Sequence, residues 1–275
     1  MNINCKGKLI DLATPKVMGI LNVTPDSFFD GGKYKDESKI LIQVETMLKA
    51  GATFIDLGGY SSRPNAEDVT KTEELKRVIP VIQLILKHFP ETLMSIDTFR
   101  SGVAQQSIEA GAALVNDISA GQLDKNMLST VGKLGVPYIM MHMKGNPKTM
   151  QEHTNYNDLV KEVISYFAER ISAAHHEKIK DIIIDPGFGF AKTIEQNFEL
   201  LNQLELLQLT DQPILAGISR KSMIYKTLNS TSQNALNGTT ALHMVALQKG
   251  SKILRVHDVK EAMECVMLYK QLKSN

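Results

Sequence analysis

Eight short apolar runs recur along the chain, each leading into a polar residue or a turn and then a stretch of helical periodicity, and this alternation leaves few folds open. The runs fall at 17–21, 53–57, 93–97, 114–115, 138–141, 182–185, 214–217 and 253–254. The sixth states the pattern most fully. Ile182, Ile183 and Ile184 show no polar alternation, the mark of a strand covered on both faces, as in parallel sheets wrapped by helices. Asp185 closes the run, Pro186 cannot donate to a ladder, and Gly187 and Gly189 permit a tight exit, so the chain leaves the sheet just after a carboxylate.

The intervening segments read as helices. Ile40, Val44, Met47 and Leu48 form one stripe that stops at Gly51. Thr70 and Glu73 have capping-box spacing ahead of Leu75, Val78, Ile82 and Ile85. Further helices are expected at 101–110, 127–134, 159–178, 240–249 and 259–273, with another from Ile194 to Leu204 and a possible short hairpin before residue 12. Strand–helix alternation repeated eight times predicts an α/β fold of the closed (β/α)8 barrel type, with the site at the C-terminal ends of the strands. The 275 residues are close to the ~250 of one such barrel, and no linker divides them, so 1–275 is expected to be one domain. An open Rossmann-type sheet is the competing architecture, but Gly187 and Gly189 lack the third glycine of its phosphate fingerprint. The chain also carries no Walker A loop, HExxH or GxSxG elbow.

Thirty-one basic against thirty acidic residues leave a formal charge of +1, so no global field draws the chain to nucleic acid. No apolar run approaches the ~20 residues of a membrane span, and Cys5, Lys6 and Lys8 stand where a signal peptide needs an apolar core. Cys5 and Cys265 lie near opposite ends without metal-ligand spacing and read as reduced bystanders. A cytoplasmic enzyme is expected.

In a barrel, Asn22, Asp97, Asn116, Asp185, Lys221, Arg255 and His257 stand at or just past strand ends and face one mouth. Carboxylates, an amide and a lysine together suit the donor–acceptor edge of a flat heterocycle. Arg255 and His257, with Asn22 and Arg63, suit a phosphate or pyrophosphate, and an asparagine oxygen suits magnesium. Ser222 opens a helix that can receive a second acid. Each residue also has a plainer reading. Asp56, Asp97 and Asp117 can cap loops, and Lys221 can be a solvated or a Schiff-base lysine. Met140, Met141 and Met143 can be core filling, and His175-His176 point apart on a helix. Phe28 and Phe29 can pack on the rim or belong to a lid.

The runs MGILNVTPDSFFDGG, IDLGGYSSRP, SIDT, VNDISAG, MHMKGNP, IIIDPGFGFAKT, GISRKSM and RVHDV resemble, in order and spacing, the dihydropteroate synthase family of pterin-binding enzymes over almost the whole chain. The resemblance implies a (β/α)8 barrel that joins 6-hydroxymethyl-7,8-dihydropterin diphosphate to 4-aminobenzoate, with Mg2+, in folate biosynthesis. It makes Asp97, Asn116, Asp185 and Lys221 ligands of the pterin edge. Met140 and Phe190 then border the pterin or aminobenzoate space, and Gly217 leaves room for the ring. Asn22 becomes the magnesium-associated residue, Arg255 and His257 hold the diphosphate, and Ser222 meets the aminobenzoate carboxylate. Phe28, Ser62, Arg63 and Pro64 fall in the family's two mobile loops. Asp97, Lys221 and Arg255 carry the catalytic burden, a homodimer is implied, and sulfonamides are the expected inhibitors. Tyr60, Ser62 and Asn65 depart from the family's ESTRPG, which bears on aminobenzoate and sulfonamide fit. Two other readings use the same ring ligands: a pterin-binding methyltransferase barrel, which has no use for a diphosphate site, and a pterin-binding protein without turnover.

Overall fold

The computed structural model describes residues 1–23, 33–60 and 69–273, with backbone alone at 33–36. Strands β1 (Asn2–Cys5) and β2 (Lys8–Asp11) form an antiparallel hairpin. The chain then runs β3 (Lys16–Asn22), α1 (Lys33–Lys49), β4 (Phe54–Gly58), α2 (Lys71–His88), β5 (Leu93–Asp97), α3 (Ser101–Glu109), β6 (Leu114–Asp117) and α4 (Met127–Leu134). It continues through β7 (Tyr138–Met141), α5 (Leu159–His176), β8 (Ile182–Asp185), α6 (Ile194–Asn202), β9 (Ile214–Ala216), α7 (Ser222–Thr227), α8 (Leu236–Gln248), β10 (Ser251–Val256) and α9 (Val259–Lys273). Strands β3 to β10 close into a barrel in sequence order, with β10 paired to β3, and its strand pairs are parallel.

Period-two alternation divides every strand between two environments. Inward-facing Met18, Phe54, Ile139, Ile183, Leu215 and Ile253 pack into one buried cluster with Ile3, Cys5 and Leu12, so the hairpin seals the N-terminal end of the barrel. The outward set, including Leu21, Ile55, Ile96, Val115, Ile184 and Val256, packs against Val44, Ile82, Val131 and Phe167 of the helices. The interior is therefore apolar at one end, and the same inward positions turn polar toward the other: Asp56 after Phe54, Asp97 after Leu93, Asn116 after Leu114, Asp185 after Ile183, Arg255 after Ile253. The phase of the apolar layer places the polar one.

The same phase corrects the reading of Met140. Met140 shares its side of β7 with Tyr138 and lies fully buried between barrel and helices, because Ile139 occupies the inward position. Met141 is the inward residue, packed with Ile118, Met143 and Met150 beside Phe190. Several helix boundaries shift by one to four residues, and two of the shifts have a clear cause. Helix α5 stops at His176 rather than 178, where Lys178 takes a left-handed φ of 64°. Helix α8 begins at Leu236 rather than 240, because Ala235, Thr239, His243 and Leu247 form a buried stripe that its polar members conceal in the sequence.

Candidate active site

At the C-terminal mouth, Arg255 on β10 joins two strands across the barrel. Its Nε donates to Asp56 Oδ2 at 2.6 Å, and its Nη2 donates to Asp97 Oδ2 at 2.7 Å. Asn116 Nδ2 donates to the same Asp56 oxygen at 3.1 Å. Asp56 was absent from the expected ligands, although it lies on the inward face of β4 two residues before Gly58; the signal was its parity with Asp97 and Asn116. It is fully buried, and its Oδ1 has no hydrogen-bond partner among the described residues. Burial works against the Arg255 charge, but Asp56 and Asp97 more than offset it and hold the guanidinium pKa above its usual range. Burial pushes Asp97 up to about 7, against the pull of Arg255.

Asp185 and Lys221 face each other across Gly217. A Cβ on Gly217 would lie 3.6 Å from Asp185 Oδ2 and 3.9 Å from Lys221 Nζ, so the glycine keeps the space between the two charges open. Gly187 N–H donates to Asp185 Oδ1 at 2.8 Å, which orients the carboxylate. Lys221 donates to the Phe188 carbonyl, and its ammonium lies 4.9 Å from the centre of the half-buried Phe190 ring. Burial raises the Asp185 pKa, with Lys221 opposing, and burial lowers Lys221 to about 8, with Asp185 opposing.

Two neighbouring contacts fix the loop that presents Lys221. Arg220 holds a left-handed φ of 56°, a conformation disfavoured for an L side chain. Its guanidinium forks onto Asp258 at 2.8 and 2.7 Å and onto the Ser232 and Gln233 carbonyls at 2.9 and 2.6 Å, which stabilises that turn. Ser219 Oγ lies 3.1 Å from His257 Nδ1 and accepts from His257 N–H at 3.2 Å, tying the β9 and β10 exits together. Ser222 follows as the first residue of α7.

Asn22 ends β3 beside this set; a Cβ on Gly58 would meet its Oδ1 at 3.3 Å. Among the described residues no cluster of three His, Cys, Asp or Glu side chains can hold a metal ion, and Asn22 Oδ1 is one hard oxygen at the mouth. That donor set fits a magnesium carried in by phosphate oxygens and water, which is how this ion is commonly held. Asp117, by contrast, faces outward and accepts from Ser119, Gly121 and Tyr138, so its role is structural. Cys5 and Cys265 are free and buried. Phe28, Ser62, Arg63 and Pro64 lie outside the described residues. Tyr60, one of the departures, meets Phe99 edge-on at 5.2 Å, and Arg100 lies over both rings while donating to Val69 O at 2.7 Å. Arg100 thus joins the residues on either side of 61–68, backed by an ion pair with buried Glu74.

A sealed barrel with carboxylates, an amide and a lysine at its mouth suits a heterocycle-binding enzyme, and the profile described as pterin binding enzyme matches residues 18–257. The chain belongs to that family. Within it the chain falls among the dihydropteroate synthases, which are alkyl transferases: it is 41% identical over 271 residues to the dihydropteroate synthase of Haemophilus influenzae, covering 98% of each chain. The dihydropteroate synthase of Yersinia pestis in complex with a sulfonamide drug superposes with a TM-score of 0.93 at 40% identity over 100% of both chains. The enzyme from Xanthomonas albilineans in complex with 7,8-dihydropteroate superposes with a TM-score of 0.89 at 35% identity, again over 100% of both.

Proposed function

We propose that residues 1–275 act as one pterin-binding domain that condenses 6-hydroxymethyl-7,8-dihydropterin diphosphate with 4-aminobenzoate. The C–O bond to the diphosphate breaks first and its electron pair leaves with pyrophosphate. The aminobenzoate nitrogen then bonds the pterin methylene carbon and loses a proton. The observation that carries this reading is the Asp56–Arg255–Asp97 network beside the Asp185–Lys221 pair. Three carboxylates face two cations there, so a ring in this site sits in a net negative environment that favours positive charge on the pterin-methyl carbon. Asp97 and Asp185 accept from the amino and ring N–H groups, Asn116 supplies an amide, and Lys221 donates to the ring carbonyl. Arg255 Nη1, which makes no hydrogen bond among the described residues, and His257 take the leaving diphosphate. Met141 and Phe190 border the ring and the amine, and Ser222 meets the aminobenzoate carboxylate. Ser62, Arg63 and Pro64 complete that pocket by resemblance.

Magnesium, when bound at Asn22 with the diphosphate, supplies charge neutralisation of the leaving group. A cytoplasmic location fits the two reduced cysteines, and no described helix is long and apolar enough to cross a membrane. A homodimer fits the outer helices, where Leu228 of the α7 end and Met267, Leu268 and Leu272 of α9 are exposed. The test is a pyrophosphate assay on protein sized by sedimentation: release that requires both substrates and magnesium, from a species of twice the chain mass, is expected. Pterin binding without aminobenzoate-dependent release would support the non-turnover reading instead.

The site electrostatics set a pH profile. Asp97 ionises as pH rises through about 7, which completes the acceptor set, and Lys221 loses its proton above about 8, which removes a cationic donor. The kcat/KM for the pterin diphosphate is therefore expected to rise through the first value and fall through the second, giving a narrow bell. A profile that stays flat from a pH of about 6 to about 9 would show that neither group is essential in the free enzyme.

A further inference from the structure

The loop after β8 turns through left-handed Gly187, Gly189 and Ala191, and each carbonyl from 187 to 191 is held by a side chain. Gly187 O and Phe190 O accept from Lys192 Nζ at 3.1 and 3.0 Å. Phe188 O accepts from Lys221, Gly189 O from Gln151 at 3.4 Å, and Ala191 O from the Tyr156 hydroxyl at 2.9 Å. Lys192 is only 3% exposed, and its Nζ also lies 3.0 Å from His142 Nδ1. An ammonium has three N–H donors and no acceptor, so three bonds use it fully and require His142 Nδ1 to accept. Close packing makes the reach possible: a Cβ on Gly187 would stand 2.1 Å from His142 O.

Lys192 grips this loop from behind, while Lys221 grips it from the ring side. Between them lie the two groups that the loop presents. Gly187 N–H orients Asp185, and Phe190 stands beside Lys221. We propose that Lys192 is a positioning residue for the aminobenzoate subsite, holding the Gly187 and Phe190 carbonyls together so that the Phe190 ring is set for the incoming amine. The inference rests on the assignment of Phe190 to that subsite.

The protonation of the lysine bears on its grip. Burial lowers Lys192 to about 7, with Asp185 opposing and Lys221 and Lys144 adding to the fall. Burial, then Lys192 and Lys144, keep His142 well below its ordinary range and therefore neutral. Tyr156 and Tyr166, which flank the His142 ring, are both raised well above their ordinary range by burial and stay protonated. As pH rises through about 7, Lys192 becomes a neutral amine that keeps one N–H for each loop carbonyl but loses the charge that strengthens both bonds. Asp97 and Lys221 titrate nearby, so the aminobenzoate KM must be read with the pterin diphosphate saturating.

Steady-state kinetics on the full chain test the proposal, with each KM measured separately. Lys192→Met is expected to raise the aminobenzoate KM about tenfold, with kcat and the pterin diphosphate KM within about twofold of wild type. Wild-type aminobenzoate KM is expected to rise above a pH of about 7, and Lys192→Met is expected to lose that rise. Lys192→Gln, whose amide offers two donors to the two carbonyls, is expected to recover to within about threefold of wild type. Equal rises in both KM values, or an unchanged aminobenzoate KM, would overturn the proposal. If Lys192→Met does not fold, the wild-type profile decides, and a flat aminobenzoate KM from a pH of about 6 to about 8.5 overturns it. None of these outcomes touches pyrophosphate release by the wild type, whose absence would instead remove the assigned reaction itself.

Discussion

Arg255→Ala is expected to damage both the fold and the reaction. The guanidinium is the shared partner of Asp56, which is fully buried, and Asp97, and it is held to them at 2.6 and 2.7 Å. Removing one member of a buried ion pair leaves an uncompensated charge and costs about 3–5 kcal/mol; here two carboxylates are left facing each other. Chemical denaturation should show that loss as a lower midpoint with an unchanged slope. Pyrophosphate release by the folded fraction should fall by a further ~10²–10³-fold, the usual consequence of deleting a preorganised charge at a site where charge develops. The double variant Asp56→Asn/Arg255→Met separates the two effects. It removes one carboxylate together with the arginine, so much of the stability should return while activity stays low. Wild-type stability in Arg255→Ala would mean that the network does not hold the barrel mouth, and unchanged turnover would take Arg255 out of the reaction.

That network also marks where reading the sequence stops. The strand ends carrying Asp97, Asn116 and Asp185 were legible because an apolar run closed by a polar residue needs only local chemistry to interpret. The partners of Arg255 were not legible: they lie 199 and 158 positions away and meet it only when the sheet closes on itself. Asp56 was concealed inside an apolar run, where one carboxylate reads as a structural cap until the neighbouring strands fix its facing. Met140 and Met141 differ by one position in the run Tyr138–Met141, which contains no polar residue to set its phase. The phase comes from the pairing of Ile139 with Ile183, a long-range fact. Lys192 required more still, because its acceptors come from a loop that folds back over it through left-handed residues without any periodicity.

Asp185→Asn is expected to remove pterin binding while leaving the fold intact. The asparagine can keep its carbonyl oxygen on Gly187 N–H, where Asp185 Oδ1 now accepts at 2.8 Å, so the loop keeps its anchor. The other position, facing the gap at Gly217, then presents an N–H to a ring edge that itself donates. Two hydrogen bonds to a charged acceptor are worth ~1.5–3 kcal/mol each, so the loss corresponds to a ~10²–10⁴-fold weaker pterin Kd by calorimetry. Burial already works against the Asp185 charge, so neutralising it should cost the protein little stability, in contrast to Arg255→Ala. Lys221 supplies an independent readout. Burial is the main force lowering it to about 8, and Asp185 is the first charge opposing that fall, so its pKa should drop further in the variant. The alkaline limb of residual kcat/KM should move below about 8 accordingly. A pterin Kd within about threefold of wild type would show that the carboxylate closing β8 does not read the ring. A weakened Kd with the alkaline limb unmoved would keep the contact but separate Asp185 from Lys221.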